Sequence, residues 1–183
     1  MASVDMNIMS ISSEVVDDNS IESNNTFHAL SDKWTLWAHL PHDTDWTMKS
    51  YKTIYTFQNM EQAISLCEII PEKMIQNCMM FLMRDGIMPL WEDKKNRNGG
   101  CFSYKISNNT VANIWRKLFY CIVGETTTKN KDIIINGFTI SPKKNFCIVK
   151  IWTENCKVQN PKIFDIEGLN EMACLFKTHQ AQY

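Results

Sequence analysis

A chain of 183 residues, 44% hydrophobic and 21% charged, has enough material for one domain with a proper core. No apolar run approaches a membrane span, and the N-terminus lacks the basic-then-apolar pattern of a signal peptide. Seven Cys, an odd number without a Cys-x-x-Cys pair, argue against a disulfide framework and for reduced thiols in the cytoplasm or nucleus. The four His show no metal-ligand spacing, so neither a metal nor another cofactor is expected. The formal net charge of −1 hides an asymmetry. Residues 1–26 hold five acids and no Lys or Arg, which leaves the body with nineteen basic against fifteen acidic residues, a formal +4. That Ser- and Asn-rich stretch has no aromatic residue and is expected to be a disordered acidic tail ahead of a single domain over 27–183. A body of such mild positive charge tolerates an anionic ligand but lacks the field of a general nucleic-acid binder.

In chain order, β-branched and aromatic content predicts strands at Trp34–Leu40, Tyr51–Phe57, Cys78–Arg84, Cys101–Ile106, Ile133–Ile140 and Phe146–Thr153, with a weaker one at Ala173–Lys177. Asn59 with Gln62 three residues on predicts a helix cap. The helix then runs to Pro71 with Met60, Ala63, Ile64, Cys67 and Ile70 on one side. A clearer helical stripe follows in Val111, Ile114, Trp115, Leu118, Phe119, Ile122 and Val123, with Gly124 as its stop. Strands outnumber helices and are joined partly by short turns. The expected class is α+β, an antiparallel sheet covered on one face by helices.

The segment Met88-Pro89-Leu90-Trp91-Glu92-Asp93-Lys94-Lys95-Asn96 stands apart from this pattern. Four charged residues follow the Trp, and the loop-forming Gly99-Gly100 comes soon after, so the indole does not belong to an ordinary core segment. Either it plugs a nearby apolar gap or it offers its face to a ligand. A Trp beside a carboxylate suits a flat, electron-poor base that presents hydrogen-bond donors. Guanine methylated at N7 is such a base. Its delocalised positive charge adds a cation–π contribution of about 0.5–2 kcal/mol per aromatic face, and one carboxylate can accept from both N1–H and the N2 amino group. Trp46, in the polar, turn-rich stretch Pro41-His42-Asp43-Thr44-Asp45-Trp46, is the candidate for the second face.

From about Phe27 onward the chain resembles eukaryotic translation initiation factor 4E, the messenger-RNA cap-binding family. His28-Ala29-Leu30 is similar to the family's His-Pro-Leu, and Lys33-Trp34-Thr35-Leu36-Trp37 to its Arg/Lys-Trp-x-Leu-Trp strand. Asp85-Gly86-Ile87-Met88-Pro89-Leu90-Trp91-Glu92-Asp93 resembles Asp-Gly-Ile-x-Pro-Met-Trp-Glu-Asp, and Asn96 through Gly100 follows as Asn-x-x-Gly-Gly. Cys121-Ile122-Val123-Gly124-Glu125 and Ile151-Trp152-Thr153 continue the match in the family's order. The resemblance implies a strongly curved antiparallel sheet backed on its convex face by about three helices. It implies that Trp46 and Trp91 sandwich the methylated base, that Glu92 reads its edge, and that Trp152 lies near the methyl group. It also implies a cytoplasmic monomer whose partners are capped messenger RNA and the scaffold initiation factor 4G or a divergent equivalent.

Two departures qualify what the resemblance implies. Lys143 stands where the family usually has Arg, with Lys144 beside it, and Asn145, Ile148 and Cys101 occupy further basic positions. Lys143 and Lys144 are the expected phosphate-binding pair, at an exit less charged than the family norm. An exit of that kind would favour a methylated first transcribed nucleotide. On the convex face, the positions that grip a helical Tyr-x-x-x-x-Leu-hydrophobic motif are His28, Leu30, Ile64, Arg116 and Tyr120, which predicts a divergent scaffold or weaker binding of the usual one. Three functions follow: a cap-binding initiation factor, a cap-binding repressor or decoy, and an enzyme acting on cap nucleotides through Cys101. No His or paired carboxylate is placed to activate that thiol, so the enzyme ranks last and no catalytic residue is expected.

Overall fold

A computed structural model of the chain describes residues 27–41 and 43–179. The acidic N-terminal tail lies outside the described residues. The first strand, β1, runs Ala29–His39 and is followed by β2 (Tyr51–Asn59), α1 (Met60–Ile69), α2 (Glu72–Asn77) and β3 (Met79–Arg84). Then come β4 (Gly100–Ser107), α3 (Val111–Val123), β5 (Ile135–Pro142), β6 (Phe146–Thr153) and β7 (Cys174–Thr178). The strands form one antiparallel sheet in the order β2-β1-β3-β5-β6-β4-β7. It is an open, curved sheet with the three helices packed on its convex side, the expected α+β class.

The strands alternate sides as a pleat requires. Trp34, Leu36, Phe57, Leu82, Phe102, Phe138 and Ile151 point to the helices and form the main core with Trp115, Leu118 and Phe119 of α3. Every residue of the predicted α3 stripe is buried. The opposite face carries a smaller apolar cluster of Tyr51, Phe81, Met83, Ile87, Cys101 and Trp152, edged by Trp37, Met48, Met79 and Leu90. This second cluster is the floor of the concave side. Among the described residues no helix is long and apolar enough to cross a membrane, and the seven cysteines are all unpaired.

The cap read at Asn59 is present. Its side chain accepts from the Gln62 backbone N–H at 2.9 Å, and the Gln62 side-chain oxygen Oε1 accepts from the Gln58 N–H at 3.2 Å. Asn59→Ala should therefore lower stability by about 1 kcal/mol, measured as a shift in the denaturant midpoint. The inward stripe of α1 differs from the one read in the sequence. Ala63, Leu66, Cys67 and Ile70 are buried, whereas Met60 and Ile64 are 48% and 47% exposed. A helix advances about 100° per residue, so a face centred on positions 63, 66, 67 and 70 turns Ile64 outward. Helix α2 was not predicted, because six residues behind Pro71 give no repeat to read. Strand β1 starts at Ala29, five residues ahead of its β-rich part, with Ala29 paired to Asn59 and an irregularity before Trp34.

Candidate functional site

Two loops rise over the concave floor. The first joins β3 to β4 and turns at Gly86, whose φ of +75° is left-handed and costs least for glycine. Asp93 then ties the loop together, accepting from the Met88 N–H at 3.1 Å and the Lys95 N–H at 2.8 Å. Asn96 is fully buried and is the hub. It donates to the Met88 and Leu90 carbonyls at 3.0 and 2.8 Å, and its own side-chain oxygen accepts from Asn136 at 3.0 Å. At the base, Gly99 lies so close to β6 that a Cβ there would come within 1.8 Å of the Thr153 carbonyl oxygen. The crest of this braced loop presents Trp91, 47% exposed, and the exposed Glu92.

The second loop joins β1 to β2 and carries Trp46, 55% exposed. The buried His39 ring lies beneath it, nearly parallel, with centroids 4.2 Å apart and 8° between planes. His39 Nε2 is 2.8 Å from the Asp45 carbonyl oxygen, which fixes the residue just before the indole. The Asp45 carboxylate accepts from the Thr47 N–H and hydroxyl, which hold it below its ordinary range. One face of Trp46 is thus covered and its other side is left to solvent.

An aromatic chain crosses the floor between these loops. His39 meets Tyr51 at 5.2 Å, Tyr51 meets Phe81 at 5.3 Å, Phe81 meets Trp152 at 6.5 Å and Trp152 meets His179 at 4.8 Å. Burial pushes the Tyr51 hydroxyl up to about 12, and the Glu92 carboxylate adds to the shift. Trp152 is 7% exposed, a core residue of the concave cluster.

The predicted base and phosphate residues other than Glu92 line two adjoining cavities. One, of about 830 Å³, is lined by His39, Trp46, Lys143, Lys144 and Lys150 among others. The other, of about 400 Å³, is lined by Trp91, Cys101, Lys150, Trp152, Lys177, Thr178 and His179. Trp46 and Trp91 do not line one cavity, and Glu92 lines neither; the shared wall is Lys150. The expected charge-poor exit is revised by this arrangement, because Lys150 and Lys177 stand on either side of Cys101 in the second cavity. The alternation of β6 could have placed Lys150 beside Trp152 from sequence alone. Lys177 reaches Cys101 through the β4–β7 pairing, which no local signal reveals.

His179 closes the second cavity. Its Nδ1–H donates to the Asn96 carbonyl at 2.7 Å, and its backbone N–H to the Gly99 carbonyl at 2.9 Å. Burial first, and the Lys150 ammonium after it, hold the imidazole below its ordinary value of 6.5. The folded state thus favours neutral His179, so an unfolded chain takes up the proton first. Its contribution to stability is complete above about pH 6.5 and is lost as pH falls through the lower folded value. Denaturant midpoints between pH 7.5 and 5 should show this acid loss in the wild type and a flatter profile in His179→Gln.

On the convex side, the predicted partner residues lie around α1 and α3. His28 Nδ1 is 2.7 Å from a Glu61 oxygen, and Leu30 packs partly into the core. Ile64 is on the surface, not in the core, and Tyr120 donates its hydroxyl to Glu68 at 2.7 Å. Arg116 is paired with Glu72 at 3.6 Å, so the charge in this groove is already countered.

A curved antiparallel sheet with helices behind and two exposed indoles and a row of lysines in front defines a ligand-binding α+β protein. The family described as Eukaryotic initiation factor 4E matches residues 29–182. The chain belongs to that family. The Candida albicans translation initiation factor 4E is 28% identical over 192 residues, covering 94% of this chain and 89% of its own length. Initiation factor 4E-2 of Schizosaccharomyces pombe is 30% identical over 138 residues, covering 70% of this chain and 55% of its own length. Among solved structures, the complex of C. elegans eIF4E-3 with the 4E-binding protein Mextli and cap analog superposes with a TM-score of 0.64 at 26% identity. That match covers 72% of this chain and 76% of the other.

Proposed function

We propose that this protein binds the 7-methylguanosine cap of messenger RNA and recruits the message for translation initiation. The free side of Trp46 and the half-exposed Trp91 take the two faces of the methylated base, and Glu92 accepts from its N1–H and N2 amino group. Trp152 lies towards the methyl group, and Lys143 and Lys144 approach the phosphates. The observation that carries the reading is the pair of exposed indoles on loops braced by His39 and Asn96, with a carboxylate beside one of them. The family membership and the cap analog in the complex with the nematode relative support the same ligand class. A single domain over residues 27–183 is part of this proposal.

Titration with 7-methylguanosine triphosphate and with unmethylated guanosine triphosphate, followed by Trp fluorescence, tests it. Quenching at much lower concentration of the methylated nucleotide is expected; equal affinity for the two rejects the cation–π reading.

The partner is a helical segment of a scaffold initiation factor, docked on the convex face around His28, Leu30, Ile64, Arg116 and Tyr120. The Tyr120–Glu68 contact, a polar pair on that face, favours a second reading, a repressor or decoy that binds cap without the usual scaffold. Retention of cap-bound protein with no scaffold peptide in a pull-down selects the second reading, and a stable ternary complex selects the first.

A further inference from the structure

A lysine outside the Lys143–Lys144 hairpin also lines the concave cavities. Lys150 is the residue common to both concave cavities. On β6 it stands two residues before Trp152, so the pleat puts both on the concave face. Its partners across the sheet are Ser103 and Thr139, which bring no charge. Lys177 is directly across from Cys101 on the edge strand β7 and lines the second cavity with Lys150. No Asp or Glu lines that cavity, and among the described residues neither lysine forms an ion pair. A third cavity offers a contrast. It holds Arg84 and several lysines, but Asp32 and Glu125 line it too, and both of these acids bind Arg84.

Two residues that line the Lys150–Lys177 cavity also keep a polar atom without a partner behind its wall. The Trp152 indole N–H and His179 Nε2 are buried with no hydrogen-bond partner among the described residues. Because Nδ1 of His179 carries the hydrogen donated to Asn96, Nε2 is an acceptor. The cavity itself therefore presents two ammonium groups with no carboxylate beside them, next to the Trp91 ring. Two such ammonium groups fit the oxygens of a polyphosphate.

We propose that Lys150 and Lys177 bind the phosphate oxygens of the cap's polyphosphate bridge, Lys150 nearer the base and Lys177 beyond it, so that the RNA leaves across β4 and β7. This rests on the cap-binding reading above and adds the path of the phosphates to it. The charge missing at Cys101 and Ile148 is supplied from neighbouring positions of the same concave face.

The test uses the full chain with Lys150→Met, Lys150→Arg, Lys177→Met and, as a control on the distant cavity, Lys129→Met, each checked by its thermal midpoint. The ligands are 7-methylguanosine, its triphosphate and the triphosphate-bridged dinucleotide cap, titrated across a salt series. Lys150→Met should weaken triphosphate binding about tenfold, the size of one hydrogen bond to a charged group, and leave the phosphate-free nucleoside unchanged. Lys150→Arg should retain most of the affinity. Lys177→Met should act chiefly on the dinucleotide cap, and each lost contact should make the fall of affinity with salt shallower. Unchanged triphosphate binding and salt slope in folded Lys150→Met, or an equal loss in the Lys129→Met control, overturns the proposal and leaves cap binding standing. Absence of binding by the wild type to any of these ligands overturns the cap reading itself.

Discussion

Trp46→Ala and Trp91→Ala should each weaken binding of 7-methylguanosine triphosphate about tenfold or more. Stacking of a base on an aromatic side chain is worth ~1–3 kcal/mol by alanine substitution, and a cationic base sits at the upper end of that range. Neither change should harm the fold much, because the side chains are 55% and 47% exposed. The two variants differ in what they leave behind. Removing Trp46 uncovers the His39 ring, which stacked on it at 4.2 Å and can still present a smaller flat surface. Removing Trp91 leaves only the braced loop backbone at that position. Trp91→Ala should therefore be the more damaging of the pair. Isothermal titration alongside thermal denaturation checks both points, and wild-type affinity in both variants rejects the sandwich. Trp152→Ala is the contrasting case: at 7% exposure inside the concave cluster it should lower stability first and affinity as a consequence.

The parts of this protein that were legible in its sequence are those where one local rule acts alone. The α3 stripe has a single periodicity and a single destination, and all of it is buried. The core strands carry enough β-branched and aromatic residues to declare themselves, and Trp91-Glu92 stood out because a core indole has no reason to sit among charges. What was not legible depends on chain segments meeting. Ile64 shares an apolar composition with its helix, and only the placement of α1 over β2 decides that Leu66 goes in and Ile64 out. The stack of His39 on Trp46 needs the 40–50 loop to fold back over β1. Lys177 joins the site only because β7 pairs with β4 in a register that sets it opposite Cys101. Lys150 is the intermediate case: the period of two places it on the face of Trp152, but an exposed lysine on a strand has a plain alternative in solubility until the cavities are seen on both sides of it.

Glu92→Gln should cost about 1.5–3 kcal/mol of cap affinity, roughly a tenfold to hundredfold loss, with little change in stability. A carboxylate offers only acceptors, and the base edge it faces offers only donors; an amide must turn either its oxygen towards one donor or its NH₂ against both. The substitution also removes the negative charge that balances a methylated guanine. The loss should accordingly be larger for the methylated nucleotide than for the unmethylated one, and selectivity between them should narrow. A second readout shows whether the side chain acts from the expected place. The Tyr51 hydroxyl is raised to about 12 by burial and then by Glu92, so Glu92→Gln should bring its titration down without returning it to the ordinary value of 10.0. The difference between the alkaline tyrosine titrations of each protein and of its Tyr51→Phe counterpart isolates Tyr51 in the free protein, independently of any ligand. A fall in the Tyr51 value with unchanged cap affinity would mean that Glu92 faces the floor of the site but does not read the base. Loss of affinity with loss of selectivity places the carboxylate on the guanine edge.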